Sequence, residues 1–185
     1  MEDGDLRPVV IVTGGSRGIG ATTARLFACE GYDVCISYLS DADAALSTVK
    51  ACEGLGAGAI AVQSDVAKRQ DVETLFLACD KALGPVSCLV NNAGVIGQST
   101  RIQGLEDEAL EQTFRTNVFG LLYCTQEATR RMSTATGGAG GTIINISSVA
   151  AVLGSPGEYV HYAASKGAVE TISIGAGKEL APVSV

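Results

Sequence analysis

The sequence predicts an α/β protein built on a doubly wound parallel sheet, a Rossmann fold, from two observations. Short runs of β-branched and other apolar residues alternate with segments whose apolar residues recur at a helical period. The short runs are apolar throughout, as expected of strands covered by helices on both faces. We predict strands at PVVIVT (8–13), DVCISY (33–38), AIAVQ (59–63), VSCLVN (86–91) and TIINIS (142–147). Ligands of such sheets bind beyond the carboxyl ends of the strands.

Helices are predicted between the strands from apolar residues spaced three or four apart. The fourth should run from about 106 to 132, and the last from about 159 to 181, where Pro182 ends it. Ser40 or Asp41 is the expected N-cap of the second helix. The predicted apolar sides are Ile19, Leu26 and Phe27; Ala45, Leu46, Val49 and Cys52; Val72, Leu75, Phe76, Cys79 and Leu83; Leu110, Phe114, Val118, Leu121, Leu122 and Thr125.

Composition excludes several classes of function. The 185 residues fit one domain, 1–185, and the net charge of −7 offers no basic field for nucleic acid or an anionic membrane. The acidic start, MEDGDLRP, lacks an apolar leader, and no stretch reaches the ~20 apolar residues of a membrane span, so we expect a cytoplasmic protein.

One histidine argues against a zinc cluster or a Ser-His-Asp triad, so no metal is expected. Six scattered cysteines without a C-x-x-C pair are expected to be buried, reduced thiols.

A glycine-rich segment, T-G-G-S-R-G-I-G (13–20), joins the first strand to the first helix. We expect Gly14 to permit a tight turn, Gly18 to let the backbone approach a diphosphate, and Gly20 to let helix and strand pack closely. The free N–H groups at the helix start would bind the anion. No Gly-Lys-Ser/Thr follows, so the segment is not an ATP-binding Walker A loop.

Three motifs together resemble the short-chain dehydrogenase/reductase family, in a subgroup like the glucose and 3-oxoacyl-ACP reductases. They are the T-G-x-x-x-G-x-G spacing at 13–20, N-N-A-G at 91–94, and Y-A-A-S-K at 162–166. The resemblance covers residues 8 to 181. Further matches are Asp65 and Val66 after the third strand, Asn117 in the long helix, and I-S-S at 146–148.

The resemblance implies a nicotinamide cofactor and a small-molecule carbonyl or alcohol substrate. Asp65 and Val66 would lie beside the adenine, and residues 92–94 beside the ribose. Ser148 would bind the substrate oxygen, and Asn117 would hold a water in a proton relay. The implied catalytic residues are Asn117, Ser148, Tyr162 and Lys166. The implied cofactor-binding residues are Gly14, Ser16, Arg17, Gly18, Ile19, Gly20, Tyr38, Asp65, Val66, Asn92, Ala93, Gly94, Tyr162 and Lys166.

The chemistry of proton exchange favours Tyr162 as the general acid/base. A free phenol, whose pKa is about 10, exchanges protons poorly at neutral pH, so a neighbouring cation must stabilise the phenolate. Lys166 lies at i+4 on the same helix face and can do so, whereas Tyr159 has Ala163 at that position. By the resemblance, Lys166 would also bind the nicotinamide ribose. His161 points to another face and is interpreted as a packing or surface residue.

The interval between Ser148 and Tyr162 is one residue longer than the usual family spacing. The segment G-S-P-G-E-Y (154–159) contains glycine and proline and can absorb one residue. We therefore keep Ser148 as the substrate-binding serine, with Ser147 as the second candidate.

The cofactor is expected to be NADP(H), with NAD(H) possible. The second strand ends in Ser37 and Tyr38 rather than in a carboxylate that would bind the ribose hydroxyls and repel a 2′-phosphate. Arg17 resembles the basic residue that meets that phosphate in NADPH-preferring relatives. Asp41, however, lies close to the end of this strand, and its carboxylate would favour NAD(H) instead.

Relatives continue past residue 185 into another strand, substrate-covering helices and a final strand, so the sequence is expected to be C-terminally incomplete. The fifth strand would then be an uncovered sheet edge. Two functions stay open: an NADP(H)-dependent oxidoreductase, and a non-catalytic fragment that binds a nucleotide or a partner. The resemblance also implies a homodimer or homotetramer, and the substrate is not encoded in any readable motif.

Overall fold

The computed structural model describes residues 7–185, which form a five-stranded parallel sheet flanked by helices. The acidic segment 1–6, on which part of the localisation prediction rests, lies outside the described residues. The strands are β1 (Val9–Val12), β2 (Asp33–Tyr38), β3 (Ala59–Gln63), β4 (Val86–Asn91) and β5 (Thr142–Asn145). Their order is β3-β2-β1-β4-β5, and all neighbours are parallel. The predicted doubly wound sheet is confirmed, and winding reverses between β1 and β4, where such folds bind ligands.

The helices follow the predicted order, with two changes: the long fourth segment is interrupted, and an unpredicted short helix, Ala150–Leu153, precedes the last one. A π-helical turn, Arg115–Gly120, separates what would otherwise be a continuous helix. Asp41 rather than Ser40 caps the second helix, because its Oδ1 accepts a 3.0 Å hydrogen bond from Ala44 N. The α-helices are α1 (Gly18–Cys29), α2 (Ala42–Glu53), α3 (Arg69–Ala82), α4 (Asp107–Phe114), α5 (Leu121–Met132), α6 (Ala150–Leu153) and α7 (Val160–Leu180).

Two apolar cores lie on opposite faces of the sheet. Side chains of β1 alternate between them: Val9 and Ile11 pack with α3 and α5, whereas Val10 and Val12 pack with α1 and α2. Each buried strand residue contributes roughly 25 cal/mol of stability for every Å² of apolar surface that it removes from water. This burial holds the layers together. Phe76 of α3 is the largest fully buried side chain.

Two predictions about burial are wrong. Ile19 and Leu26 are 65% and 61% exposed, and Leu46 and Leu110 are also exposed. The helix α1 instead buries Gly20, Ala21, Ala24 and Ala28. Small residues allow α1 to approach the sheet closely, which a stripe of large side chains would prevent. Full burial of every strand is also wrong: β3 and β5 are the outer strands of the described sheet and are only partly buried.

The cysteine prediction holds at five of six positions, since only Cys29 is exposed. Burial raises the pKa of Cys88 to about 11 and that of Cys124 to about 12, which keeps both thiols protonated and unreactive. Within residues 7–185, none of the helices combines the length and apolarity that a membrane crossing requires.

Candidate active site

A cleft of about 650 Å³ opens where the strands end. It gathers every residue predicted to bind the cofactor except Gly18, Tyr162 and Lys166. Its other wall residues are not among the predicted cofactor-binding residues: Ser37, Leu39, Ser64, Ala67, Val95, Glu108, Glu111, Gln112, Arg115 and Thr116. Those that directly follow β2, β3 and β4 could have been inferred from their place at the strand ends. Those on α4 and the π-helical turn carry no local sequence signal.

The glycine-rich loop is tightly fixed to the ends of β1, β2 and β4. Gly14, at φ +64°, donates a 3.1 Å hydrogen bond from its N–H to Ser37 Oγ. A Cβ atom on Gly20 would lie 2.4 Å from Gly14 O and 2.5 Å from Asn92 Nδ2, so a side chain cannot be accommodated there. Loop and helix therefore meet at van der Waals distance.

The start of α1 is open to a ligand. Gly18 adopts φ +56°, and apart from its chain neighbours and the nearby backbone of its own helix, no described residue comes within 4 Å of the position a Cβ would take. Among those residues no side chain caps the helix start, and its first turn contains no acidic side chain. The first N–H groups of α1 therefore keep the donor capacity and partial positive charge that suit a diphosphate.

Asn92 braces the cleft from the β4 side. Its Nδ2 donates to Thr13 O at 2.8 Å and to Gly14 O at 3.1 Å. Thr13 Oγ1 in turn accepts hydrogen bonds from the N–H groups of Asn92 and Ala93, each at 3.0 Å. This network places Ala93 and Gly94 along the cleft wall.

Asp65 lies at the far end of the cleft, after β3. Its Oδ1 accepts a 3.0 Å hydrogen bond from Ala67 N, and its Oδ2 lies 3.5 Å from Lys68 Nζ. Val66 is buried against Gly120 of the π-helical turn, where a Cβ would come within 2.9 Å of the valine side chain. The absence of a side chain at residue 120 is thus a packing requirement.

The π-helical turn presents Asn117 to the loop that follows β4. Asn117 is buried; its Oδ1 accepts from Val95 N at 2.8 Å, and its Nδ2 donates to Val95 O and to Ser165 Oγ, both at 2.9 Å. π-helical turns occur frequently at functional sites. With both amide hydrogens used, the Asn117 side chain ties the β4 loop to α7; its implied role in a proton relay stays a prediction.

Tyr162 and Lys166 lie together near the start of α7. Lys166 Nζ is 5.9 Å from the centre of the Tyr162 ring and donates a 2.6 Å hydrogen bond to Ile146 O. Gly94 links this pair to the cleft, since a Cβ built on it would lie 3.7 Å from Lys166 Nζ. Lys166 is only 6% exposed, and this burial lowers its pKa.

The lowered Lys166 pKa predicts a pH-dependent stability difference between the wild type and Lys166→Met. Between the lowered pKa in the folded state and 10.5 in the unfolded chain, the unfolded state binds more protons. The unfolding free energy of the wild type, relative to Lys166→Met, should therefore rise as pH increases from neutral toward 10.5. Urea titrations of both proteins at each pH measure this difference in unfolding free energy. A difference that stays constant or falls as pH increases would contradict burial of a charged amine.

Ser147 and Ser148 differ in the use of their hydroxyls. Ser147 Oγ donates to Glu170 Oε1 at 3.1 Å, so it is engaged with α7. Ser148 Oγ accepts from Ala150 N at 3.2 Å and keeps its own hydrogen for another acceptor. The segment between Ser148 and Tyr162 makes two close reversals, with φ of +74° at Gly154 and +80° at Gly157. Such turns can take up the additional residue of this interval.

This sheet order, with a glycine-rich loop at the point where winding reverses, is that of a dinucleotide-binding fold. The Tyr-Lys pair lies beside its cleft. The short chain dehydrogenase family model matches residues 8–185, and the chain belongs to that family. Members of this family are oxidoreductases, as the names of the relatives below state.

Two curated relatives illustrate the similarity. The uncharacterized oxidoreductase YgfF of Escherichia coli is 43% identical over 173 residues, which is 94% of this chain and 70% of that protein. The 3-oxoacyl-[acyl-carrier-protein] reductase FabG of Staphylococcus epidermidis is 33% identical over 171 residues, covering 92% of this chain and 68% of the reductase.

Solved structures agree with the fold. A short-chain dehydrogenase from Burkholderia cenocepacia in complex with NADP superimposes with a TM-score of 0.88 at 33% identity, covering 97% of this chain and 71% of that one. A short-chain dehydrogenase/reductase from Serratia marcescens gives a TM-score of 0.89 at 32% identity, covering 96% and 70%.

Proposed function

We propose that this chain is an NADP(H)-dependent oxidoreductase that interconverts a carbonyl compound and an alcohol, with Tyr162 as the general acid/base. The observation that carries the proposal is the position of Lys166 Nζ, 5.9 Å from the Tyr162 ring and adjacent to Gly94 of the cleft wall. When bound, the nicotinamide cofactor supplies or accepts the hydride. The chain supplies orientation, a proton and electrostatic stabilisation.

The residues of the cleft fit a dinucleotide. The uncapped start of α1 suits the diphosphate, and Arg17 lines the same cleft as Ser37 and Tyr38 and would hold a 2′-phosphate. The carboxylate of Asp65 is engaged by Ala67 N and Lys68, which reduces its repulsion of a phosphate. Complexes of solved relatives with NADP and with NADPH support the same choice of cofactor.

The proposed proton transfer assigns separate tasks to three side chains. Ser148 donates its free hydroxyl hydrogen to the substrate oxygen and orients it. Tyr162 donates its phenolic proton to that oxygen during reduction and removes it during oxidation. Lys166, held by Ile146 O, places an ammonium group near the ring and stabilises the phenolate that remains.

The proposal is tested by assaying reduction of ethyl acetoacetate, a small 3-oxo ester chosen because relatives are named 3-oxoacyl reductases. Loss of the near-ultraviolet absorbance of NADPH or NADH reports turnover, and we expect it with NADPH. Aldehydes and cyclic ketones serve as further probes. Cofactor binding without turnover of any probe would instead indicate the non-catalytic nucleotide-binding alternative. No cofactor binding would contradict both of these and leave only the partner-binding fragment.

Arg17→Ala should raise the KM for NADPH about tenfold and leave the KM for NADH within about twofold, because one charge-assisted hydrogen bond to the 2′-phosphate is lost. Arg25→Ala is the matched control: Arg25 lies on α1 and contacts Thr22 rather than the cleft. Equal effects on both cofactors would contradict a role in phosphate recognition. Homo-oligomeric assembly stays a prediction from the family resemblance, and a cytoplasmic location stays a prediction from the sequence.

A further inference from the structure

His161 lies directly before Tyr162, buried beneath the loop that follows β4. Its side chain is only 3% exposed, and its Nε2 has no hydrogen-bond partner among the described residues. A buried polar nitrogen without a partner costs stability, so folding stability alone does not account for an imidazole here.

The backbone of Gly97 passes against the edge of this imidazole. A Cβ built on Gly97 would lie 2.6 Å from His161 Nε2 and 3.1 Å from Thr113 Oγ1. Gly97 also adopts φ +81°, which a side chain would strain. The imidazole and Thr113 therefore form a seat that fits a glycine backbone and nothing larger.

The two ends of this loop are fixed by hydrogen bonds, and in its middle Gly97 lies against the imidazole and Thr113. At one end Val95, which lines the cleft, is held by Asn117. At the other end Thr100 N donates a 2.8 Å hydrogen bond to Glu158 O, just before α7. The contact at Gly97 lies between these two points, so the imidazole edge limits how closely the loop can approach α7.

We propose that His161 is a positioning residue: its imidazole sets the height of loop 95–100 above the start of α7, and thereby the space for substrate beside Tyr162. The inference rests on the proposed function for its kinetic consequence. His161 acts through the loop and does not touch the reacting atoms. Its partner in this role is Gly97, because any side chain at 97 would push the loop away.

A double-mutant cycle tests the proposal. Gly97→Ala places a methyl group against the imidazole, and His161→Ala removes the imidazole; each should raise the KM for ethyl acetoacetate about tenfold, with the KM for NADPH within about twofold. In the double variant the new methyl group occupies part of the vacated space. We expect its KM to resemble that of one single variant rather than the product of both effects. His161→Gln, which keeps the reach of Nε2, should restore a KM near that of the wild type.

Gly56→Ala is the matched control for backbone strain. Gly56 has φ +84° with open space around its Cβ position, and it precedes β3 at the edge of the sheet opposite the cleft. This variant should lose stability and keep its KM. An unchanged KM in His161→Ala, or multiplicative KM effects in the double variant, would overturn the proposal.

A second readout does not require turnover. His161 is the only histidine of the chain, so its imidazole gives a single, assigned NMR signal once any purification tag is removed. Gly97→Ala should shift this signal in the ligand-free protein, and Gly56→Ala should not. A signal insensitive to Gly97→Ala would overturn the seat itself, whereas a shifted signal in a protein without turnover would count only against the proposed function.

Discussion

Replacing Tyr162 by Phe is expected to lower kcat for carbonyl reduction by about three orders of magnitude, within the range found for loss of a general acid/base. The substitution removes the proton donor and keeps the ring that lies 5.9 Å from Lys166 Nζ. Because the cleft wall itself is unchanged, the Kd for NADPH should stay within about twofold. Single-turnover absorbance and the quenching of NADPH fluorescence measure the two quantities separately.

Tyr159→Phe is the control for Tyr162→Phe. Tyr159 is the N-cap residue of α7 and has Ala163, not a lysine, four residues later. Removing its hydroxyl should change kcat by less than about twofold, as expected for a residue that takes no part in the proton transfer. If Tyr162→Phe and Tyr159→Phe reduced kcat equally, the proton donor would have to be another group.

The presence and parallel arrangement of the strands could be predicted because central strands carry an unambiguous signal. Most residues of β1, β2 and β4 are buried, and their sequences are mainly apolar without alternation. The outer strands β3 and β5 have similar sequences but are only partly buried. Position within a sheet depends on non-local pairing, which the composition of a single strand does not contain.

The buried face of α1 differs from the predicted one for a physical reason. Periodicity weighs large apolar side chains, and this favoured Ile19 and Leu26, both exposed. The face against the sheet is formed by glycine and alanine, since the loop and the sheet leave only a short distance to the helix. For Ile19 the exposure is compatible with its place on the cleft wall.

Much of the candidate site could be predicted because its residues directly follow strand ends or occupy one helical turn. The glycine loop, residues 92–94 and the Tyr162–Lys166 pair are all local motifs. The π-helical turn around Asn117 could not be predicted, because one additional residue in a turn leaves the apolar pattern nearly unchanged. The contact between Gly97 and His161 joins residues far apart in the sequence and could not be inferred from either one.

The second large effect is expected for Gly20→Ala, which should lower the unfolding free energy by about 2 kcal/mol and weaken NADPH binding at least about tenfold. The new methyl group would lie 2.4 Å from Gly14 O and 2.5 Å from Asn92 Nδ2. The collision can be relieved only by moving α1 away from the loop. That movement breaks the Asn92 brace and displaces the N–H groups that would hold the diphosphate.

Gly175→Ala separates this collision from the general effect of alanine in a helix. Gly175 lies within α7, and among the described residues nothing outside its chain neighbours and the nearby backbone of α7 comes within 4 Å of its Cβ position. There the substitution should raise the unfolding free energy by up to about 1 kcal/mol, because alanine favours the helix. Urea titrations of both variants and their NADPH affinities measure the contrast. If Gly20→Ala gained stability as Gly175→Ala does, loop and helix would not be in the contact described, and the diphosphate would need a different binding site.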